Sequence, residues 1–107
     1  MKATLRENYR YVAIEIISEV PLVKDDLISI LKKDLLSLIG KIHYSDVMPN
    51  LVYFDHLNQK AVIRCLNKGT EDLKTALALF NSYEGKKIHL KAIYTSGTIK
   101  KAKEVIR

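Results

Sequence analysis

Four glycines and two prolines among 107 residues leave little material for a flexible linker, and no low-complexity run or internal repeat interrupts the chain. The single cysteine, Cys65, has no internal partner, which excludes a disulfide scaffold and suits a reducing compartment. Long apolar runs are missing as well. The longest apolar segment, Leu27 to Ile39, is broken by Ser29, Lys32, Lys33, Asp34 and Ser37, whereas a membrane-spanning helix needs about 18 or more apolar residues in succession. Lys2, Arg6 and Glu7 stand near the N-terminus without the apolar core of a secretory signal. These absences lead to the expectation of a soluble, cytoplasmic protein with no membrane partner.

What is present is basic charge, unevenly spread. Lys and Arg number 18 against 12 Asp and Glu, a formal charge of +6. Through Gly85 there are eleven bases and eleven acids, so the whole excess lies beyond it. That segment holds Lys86, Lys87, Lys91, Lys100, Lys101, Lys103 and Arg107 against Glu104 alone. A basic terminal segment on a neutral body points to a polyanionic partner. A length of 107 residues matches one domain of about 100 to 150 residues, so one domain over residues 1–107 is expected.

Residues Tyr9 to Ile17 alternate Val12, Ile14 and Ile16 with Tyr11, Ala13 and Glu15, the pattern of a strand with one buried face. Pro21 and Asp25-Asp26 open a helix that runs to about Ile39 and stops at Gly40, the acids complementing its positive end. At 100° per residue its inner stripe is Leu27, Ile28, Leu31, Leu35, Leu38 and Ile39, with Ile30 and Leu36 left outside on opposite sides. Those two either meet a loop at the domain edge or form a protein interface with a larger subunit or a second copy of the chain. Leu51 to Asp55 and Lys60 to Leu66 read as two strands of a hairpin. Thr70 as N-cap, with Glu71 and Asp72, starts a second helix over Leu73, Ala76, Leu77, Phe80 and Tyr83, ended by Gly85. Lys86 to Thr95 is a fourth strand, with Ile88, Leu90, Ala92 and Tyr94 inward, and Ile99 to Arg107 a short third helix.

The order β-α-β-β-α-β with an extra C-terminal helix predicts an α+β, ferredoxin-like or RNA-recognition-like sandwich. Two helices cover one face of a four-stranded antiparallel sheet. The other face would show Tyr11, Ala13, Glu15, Val62, Arg64, His89, Lys91 and Ile93. RNA-recognition domains stack bases on aromatics of their first and third strands. Here Tyr9 and Tyr11 are available, but the third strand has Lys60-Ala61-Val62-Ile63-Arg64 where Gly and aromatics belong. That argues against base stacking and for another use of the face, such as protein docking or cover by the third helix.

Ser96-Gly97-Thr98-Ile99-Lys100-Lys101 is the best local phosphate contact. Gly97 permits close backbone approach, Thr98 caps, and two lysines follow with no acid before Glu104. The blander reading is an ordinary Thr-capped helix with a solvated lysine face. Lys100, Lys101 and Lys103, with Gly97 and Thr98, are the leading RNA-contact candidates; Arg64, Lys91 and Tyr11 are second in rank. Catalytic groups are scarce. His43, His56 and His89 stand 13 and 33 residues apart, unlike metal-ligand pairs on one helix or turn. Cys65 occupies an inward strand position, as a core thiol does. No catalytic residue, metal ligand or bound cofactor is assigned to the polypeptide.

Four short segments together resemble a known family: Arg10-Tyr11 leading into Ala13-Ile14-Glu15-Ile16-Ile17-Ser18, Arg64-Cys65, Ala76-Leu77-Ala78-Leu79, and Ser96-Gly97-Thr98-Ile99-Lys100. From about Tyr9 to Lys103 the chain is similar to protein component 2 of archaeal ribonuclease P, a family related to a small subunit of the eukaryotic ribonuclease P and MRP particles. The resemblance implies a subunit of the ribonucleoprotein that removes the 5′ leader from precursor tRNA, with hydrolysis carried out by the RNA subunit and its Mg2+. It further implies ribonuclease P RNA, precursor tRNA and protein component 3 with other protein subunits as partners, and leaves a homodimer open. The residues alone leave two other readings: a general single-stranded RNA-binding module, and a ferredoxin-like dimeric interaction domain without an RNA role.

Overall fold

The computed structural model describes residues 8–106; Lys2, Arg6, Glu7 and Arg107, used above, lie outside them. The alternating segment forms strand β1, Tyr9–Ser18. Its partners are β3, Lys60–Leu66, on one side and β5, Lys86–Ser96, on the other. Strand β2, Asn50–Asp55, flanks β3, and a two-residue β4, Ser82–Tyr83, pairs with Lys86 and Lys87. The sheet order is β2-β3-β1-β5-β4 and every pairing is antiparallel. This is an α+β fold, as expected, with a fifth short strand added to the antiparallel sheet.

One face of the sheet buries Val12, Ile14, Ile16, Ala61, Ile63, Cys65, Ile88 and Leu90, the residues that the alternation assigned to it. The helices above them are less regular than their sequence suggested. α1, Lys24–Ser29, passes into a π-helical segment, Ile30–Asp34, and resumes as α2, Leu35–Ile39. A π turn holds one residue more than an α turn, so the apolar stripe slips by about 100° within the helix. Ile30, one turn after Leu27, is fully buried beside Leu27, Leu31 and Leu35, and Leu38, which was expected inside and lies beyond the slip, is exposed. The assignment of Ile30 to a partner surface is therefore corrected. Leu36 is half-buried.

Gly40, at φ 89°, turns the chain into α3, Lys41–Val47, a helix that the pattern did not reveal because Val47 is its one buried anchor. α3 packs on the short 3-10 turn Asn67–Gly69, where a Cβ on Gly69 would stand 2.5 Å from both the Asp46 carbonyl oxygen and the Val47 Cα. α4, Thr70–Leu79, follows. Thr70 is inside its first turn rather than capping it: the Thr70 hydroxyl donates to the Asn67 carbonyl at 2.9 Å. α4 also ends earlier than expected. Tyr83 belongs to β4, and Glu84 and Gly85, both at positive φ, form the turn into β5, so Gly85 is a hairpin residue and not the helix stop expected of it.

Strand β5 carries a bulge. Ile14 faces Ala92 while Ala13 faces Tyr94, so Ile93 is the extra residue. Beyond it the alternation changes phase. Tyr94 moves to the second face, Ser96 is buried, and neither Ala92 nor Tyr94 is the core residue that uninterrupted alternation predicted. The last helix, α5, Ile99–Val105, then returns across this second face. Ala102 and Ile106 are buried against Ala13 and Val62, with Tyr11, Val52, Tyr53 and Ile99 around them. The face left open by two helices is thus partly closed by the third.

Candidate nucleic-acid interface

The basic C-terminal segment is held at one end of the sheet by the β5–α5 turn. The Ser96 hydroxyl accepts from the Thr98 amide at 3.1 Å, and the Thr98 hydroxyl accepts from the Lys101 amide at 3.4 Å, making Thr98 the cap that the sequence indicated. Ser96 stands at the head of the segment singled out from sequence, but its hydrogen bond to the Thr98 amide was not foreseen; the signal for it was the Ser-x-Thr spacing just before a helix. Gly97 has open space around the position of a missing Cβ, so the fold itself does not demand glycine there. Lys100 and Lys101 are exposed on the solvent side of α5 while Ile99, Ala102 and Ile106 face the sheet. The ion pairs among the described residues are Lys68–Asp46 and Lys74–Glu71, so neither Lys100 nor Lys101 has a carboxylate partner there.

Lys103 differs from its neighbours. It is half-buried, and its ammonium lies 4.7 Å from the centroid of the Tyr53 ring across β2. A cation held over an aromatic face in this way anchors α5 to the sheet. Lys100 and Lys101 are exposed, whereas Lys103, one turn on from Lys100, is engaged with Tyr53.

Strand register decides which second-rank candidates join that surface. Tyr11 pairs with Arg64 on one side and Ser96 on the other, so these three residues form one row across the sheet, next to Gly97 and Thr98. Tyr11 is half-buried at the edge of the α5 contact. Arg64 projects from the same row, with its guanidinium 4.5 Å over the Tyr9 ring. Lys91 is elsewhere. It pairs with Glu15, four residues along β1 from Tyr11 or about 13 Å, and has an acid for a cross-strand neighbour.

No group of three or more His, Cys, Asp or Glu among the described residues is arranged to hold a metal. Cys65 is fully buried, its sulfur 3.8 Å from the Thr70 hydroxyl, and burial pushes its thiol pKa up, which favours the protonated, poorly nucleophilic form. Asp55 is shifted the other way. Hydrogen bonds from the Asn58 side chain and amide stabilise its carboxylate at the β2–β3 turn and lower its pKa. The chemistry available at the sheet end is therefore cationic recognition, with exposed Lys100 and Lys101, a stacked Arg64 and a capped turn in one region.

Residues 10–107 match the model of the Rpp14/Pop5 family. Ribonuclease P protein component 2 of Pyrococcus horikoshii is 35% identical over 100 residues, covering 94% of this chain and 83% of that protein. The same component from Methanocaldococcus jannaschii is 31% identical, covering 94% of this chain and 73% of its own length. A chain in a cryo-EM structure of yeast ribonuclease MRP has a similar fold, with a TM-score of 0.70 at 17% identity over 91% of this chain and 79% of that one. None of the described helices is long and apolar enough to cross a membrane.

Proposed function

The chain belongs to the Rpp14/Pop5 family, and from that premise we propose that it is the protein component 2 subunit of a ribonuclease P that removes 5′ leaders from precursor tRNA. The observation that carries this reading is similarity at 35% identity across 94% of the chain to a protein of that name. The exposed Lys100 and Lys101 beside the Thr98 cap give it a physical basis. Cations on the turn offset repulsion between RNA phosphates and help hold an RNA conformation competent for cleavage. Hydrolysis belongs to the RNA subunit with its magnesium, and the polypeptide supplies no catalytic group. Its partners are ribonuclease P RNA, precursor tRNA, protein component 3 and other protein subunits, in the cytoplasm.

Reconstituted cleavage of precursor tRNA with the RNA and the full set of protein subunits tests the assignment. Lys100→Ala with Lys101→Ala lowers activity at moderate salt and restores it as salt is reduced, because each lost phosphate contact flattens the salt dependence by roughly one unit. Unchanged activity and salt dependence in the double variant would remove the phosphate assignment. Failure of the unmodified chain to stimulate any ribonuclease P RNA would remove the function itself.

A further inference from the structure

We propose that Arg64, held over the Tyr9 ring, is a second phosphate-binding group, so that an RNA strand crosses the end of the sheet from the β5–α5 turn to the start of β1. The proposal rests on the RNA-binding reading above and extends it to a residue pair on other strands.

Four observations converge. First, the Tyr11 pairings place Arg64 and Ser96 in one row, immediately beside the turn that carries Gly97 and Thr98. Second, Arg64 has no ion pair among the described residues, although its guanidinium is fixed in place. Third, what fixes it is a neutral ring: Tyr9 lies 4.5 Å beneath the guanidinium carbon. Stacking uses one face of the guanidinium and leaves its planar N–H edges available, the geometry that grips two phosphate oxygens at once. Fourth, the backbone that carries the Tyr9 ring is held in β1, where Tyr9 pairs with Leu66 of β3.

The contrast with Lys103 is instructive. It is also over an aromatic ring, but it lies on the α5 side of the sheet contact and spends its cation on holding the helix. Tyr9 is 39% exposed, whereas Tyr11 and Tyr53 are partly buried around α5. Arg64 is consequently a preorganised cation at an uncovered edge, and Tyr9 is its positioning residue. An RNA backbone has the complementary charge, and the row Arg64–Tyr11–Ser96 spans two strand spacings, about 10 Å, from Arg64 to the turn.

The test is binding of the full chain to a uridine RNA of about 20 nucleotides at low ionic strength, followed across a salt series. Arg64→Ala should weaken binding about 10-fold and reduce the salt slope by about 0.7. Arg64→Lys keeps the charge and should still lose about 3-fold, since an ammonium does not form the planar fork. Tyr9→Ala changes no charge, so it should lose about 3-fold with the salt slope unaltered, while Tyr9→Phe keeps the ring and binds like the wild type. Equal affinity for wild type, Arg64→Lys and Tyr9→Ala would overturn the proposal. Loss in Lys100→Ala/Lys101→Ala without loss in the Arg64 and Tyr9 variants would overturn it while leaving the turn as the RNA contact. Loss in none of these variants would overturn both.

Discussion

The Tyr44 hydroxyl of α3 donates a 2.7 Å hydrogen bond to the Leu31 carbonyl inside the π-helical segment Ile30–Asp34. A π turn widens the backbone ladder, and carbonyls there are offset from the donors that an α-helix supplies. The segment that buries Ile30 thus acquires a donor from the helix that follows Gly40. Core packing and the position of α3 are tied through one side chain.

Tyr44→Phe removes only the hydroxyl. The variant should keep its circular dichroism spectrum and lose about 1 to 2 kcal/mol in urea denaturation, the cost of leaving a partly buried carbonyl without its donor. Stability equal to the wild type would show that the Leu31 carbonyl is satisfied without Tyr44.

Two glycines should respond in opposite ways. Gly69→Ala pushes a methyl to 2.5 Å from the Asp46 oxygen and the Val47 Cα, backbone atoms that yield only if α3 shifts. A loss of about 1 to 3 kcal/mol is expected. Gly97→Ala meets open space and should leave stability within about 0.5 kcal/mol. Because Gly97 lies in the proposed RNA contact, that same variant should weaken RNA binding where its methyl blocks backbone approach. Thermal melts together with salt-dependent binding separate the two effects.

The strand pattern was legible because period-two alternation is insensitive to context: every residue assigned to the helix side of β1 and β3 is buried there. What escaped involves single-residue insertions. The bulge at Ile93 and the π turn at Ile30–Asp34 each add one residue, and everything beyond changes phase, which moved Tyr94 to the second face and Leu38 out of the core. Composition gives no local sign of either, since both are set by packing against another element. The capped turn at Thr98 was legible from its residues. The stack of Arg64 on Tyr9 was not, because 55 sequence positions separate two residues that only strand pairing brings together.

The closure of the second face by α5 predicts a division of labour among its side chains. Ile106→Ala empties a fully buried site and should cost about 2 to 4 kcal/mol, with the loss of near-ultraviolet signal from Tyr11 and Tyr53 as α5 loosens. Lys103→Ala gives up a cation–π contact worth about 0.5 to 1 kcal/mol. It should change the salt slope of RNA binding less than Lys100→Ala or Lys101→Ala does. A larger slope change from Lys103 than from Lys101 would place the phosphate path on the Tyr53 side of α5.

Alkaline pH should unfold the protein earlier than its composition suggests, through two groups whose neutral forms the fold prefers. Burial raises the pKa of the Cys65 thiol above its ordinary value of 9.0 and that of the Tyr44 hydroxyl above 10.0. For a group whose folded pKa is raised, the stability it contributes is complete below the unfolded value and disappears as pH climbs through the folded one. Each contribution is therefore intact near neutrality, and the decline begins at about pH 9 for Cys65 and about pH 10 for Tyr44. Asp55 acts in the opposite range, its lowered pKa making the Asn58 turn sensitive only to acid below its ordinary 3.8. Cys65→Ala tests the first contribution directly. The variant starts less stable at about pH 7 because a buried sulfur is gone, but it should lose less between about pH 8.5 and 10.5 than the wild type does, as its core has no thiol to ionise. Parallel pH profiles for the two proteins would mean that the Cys65 thiol ionises equally well folded and unfolded, contrary to its complete burial against Thr70.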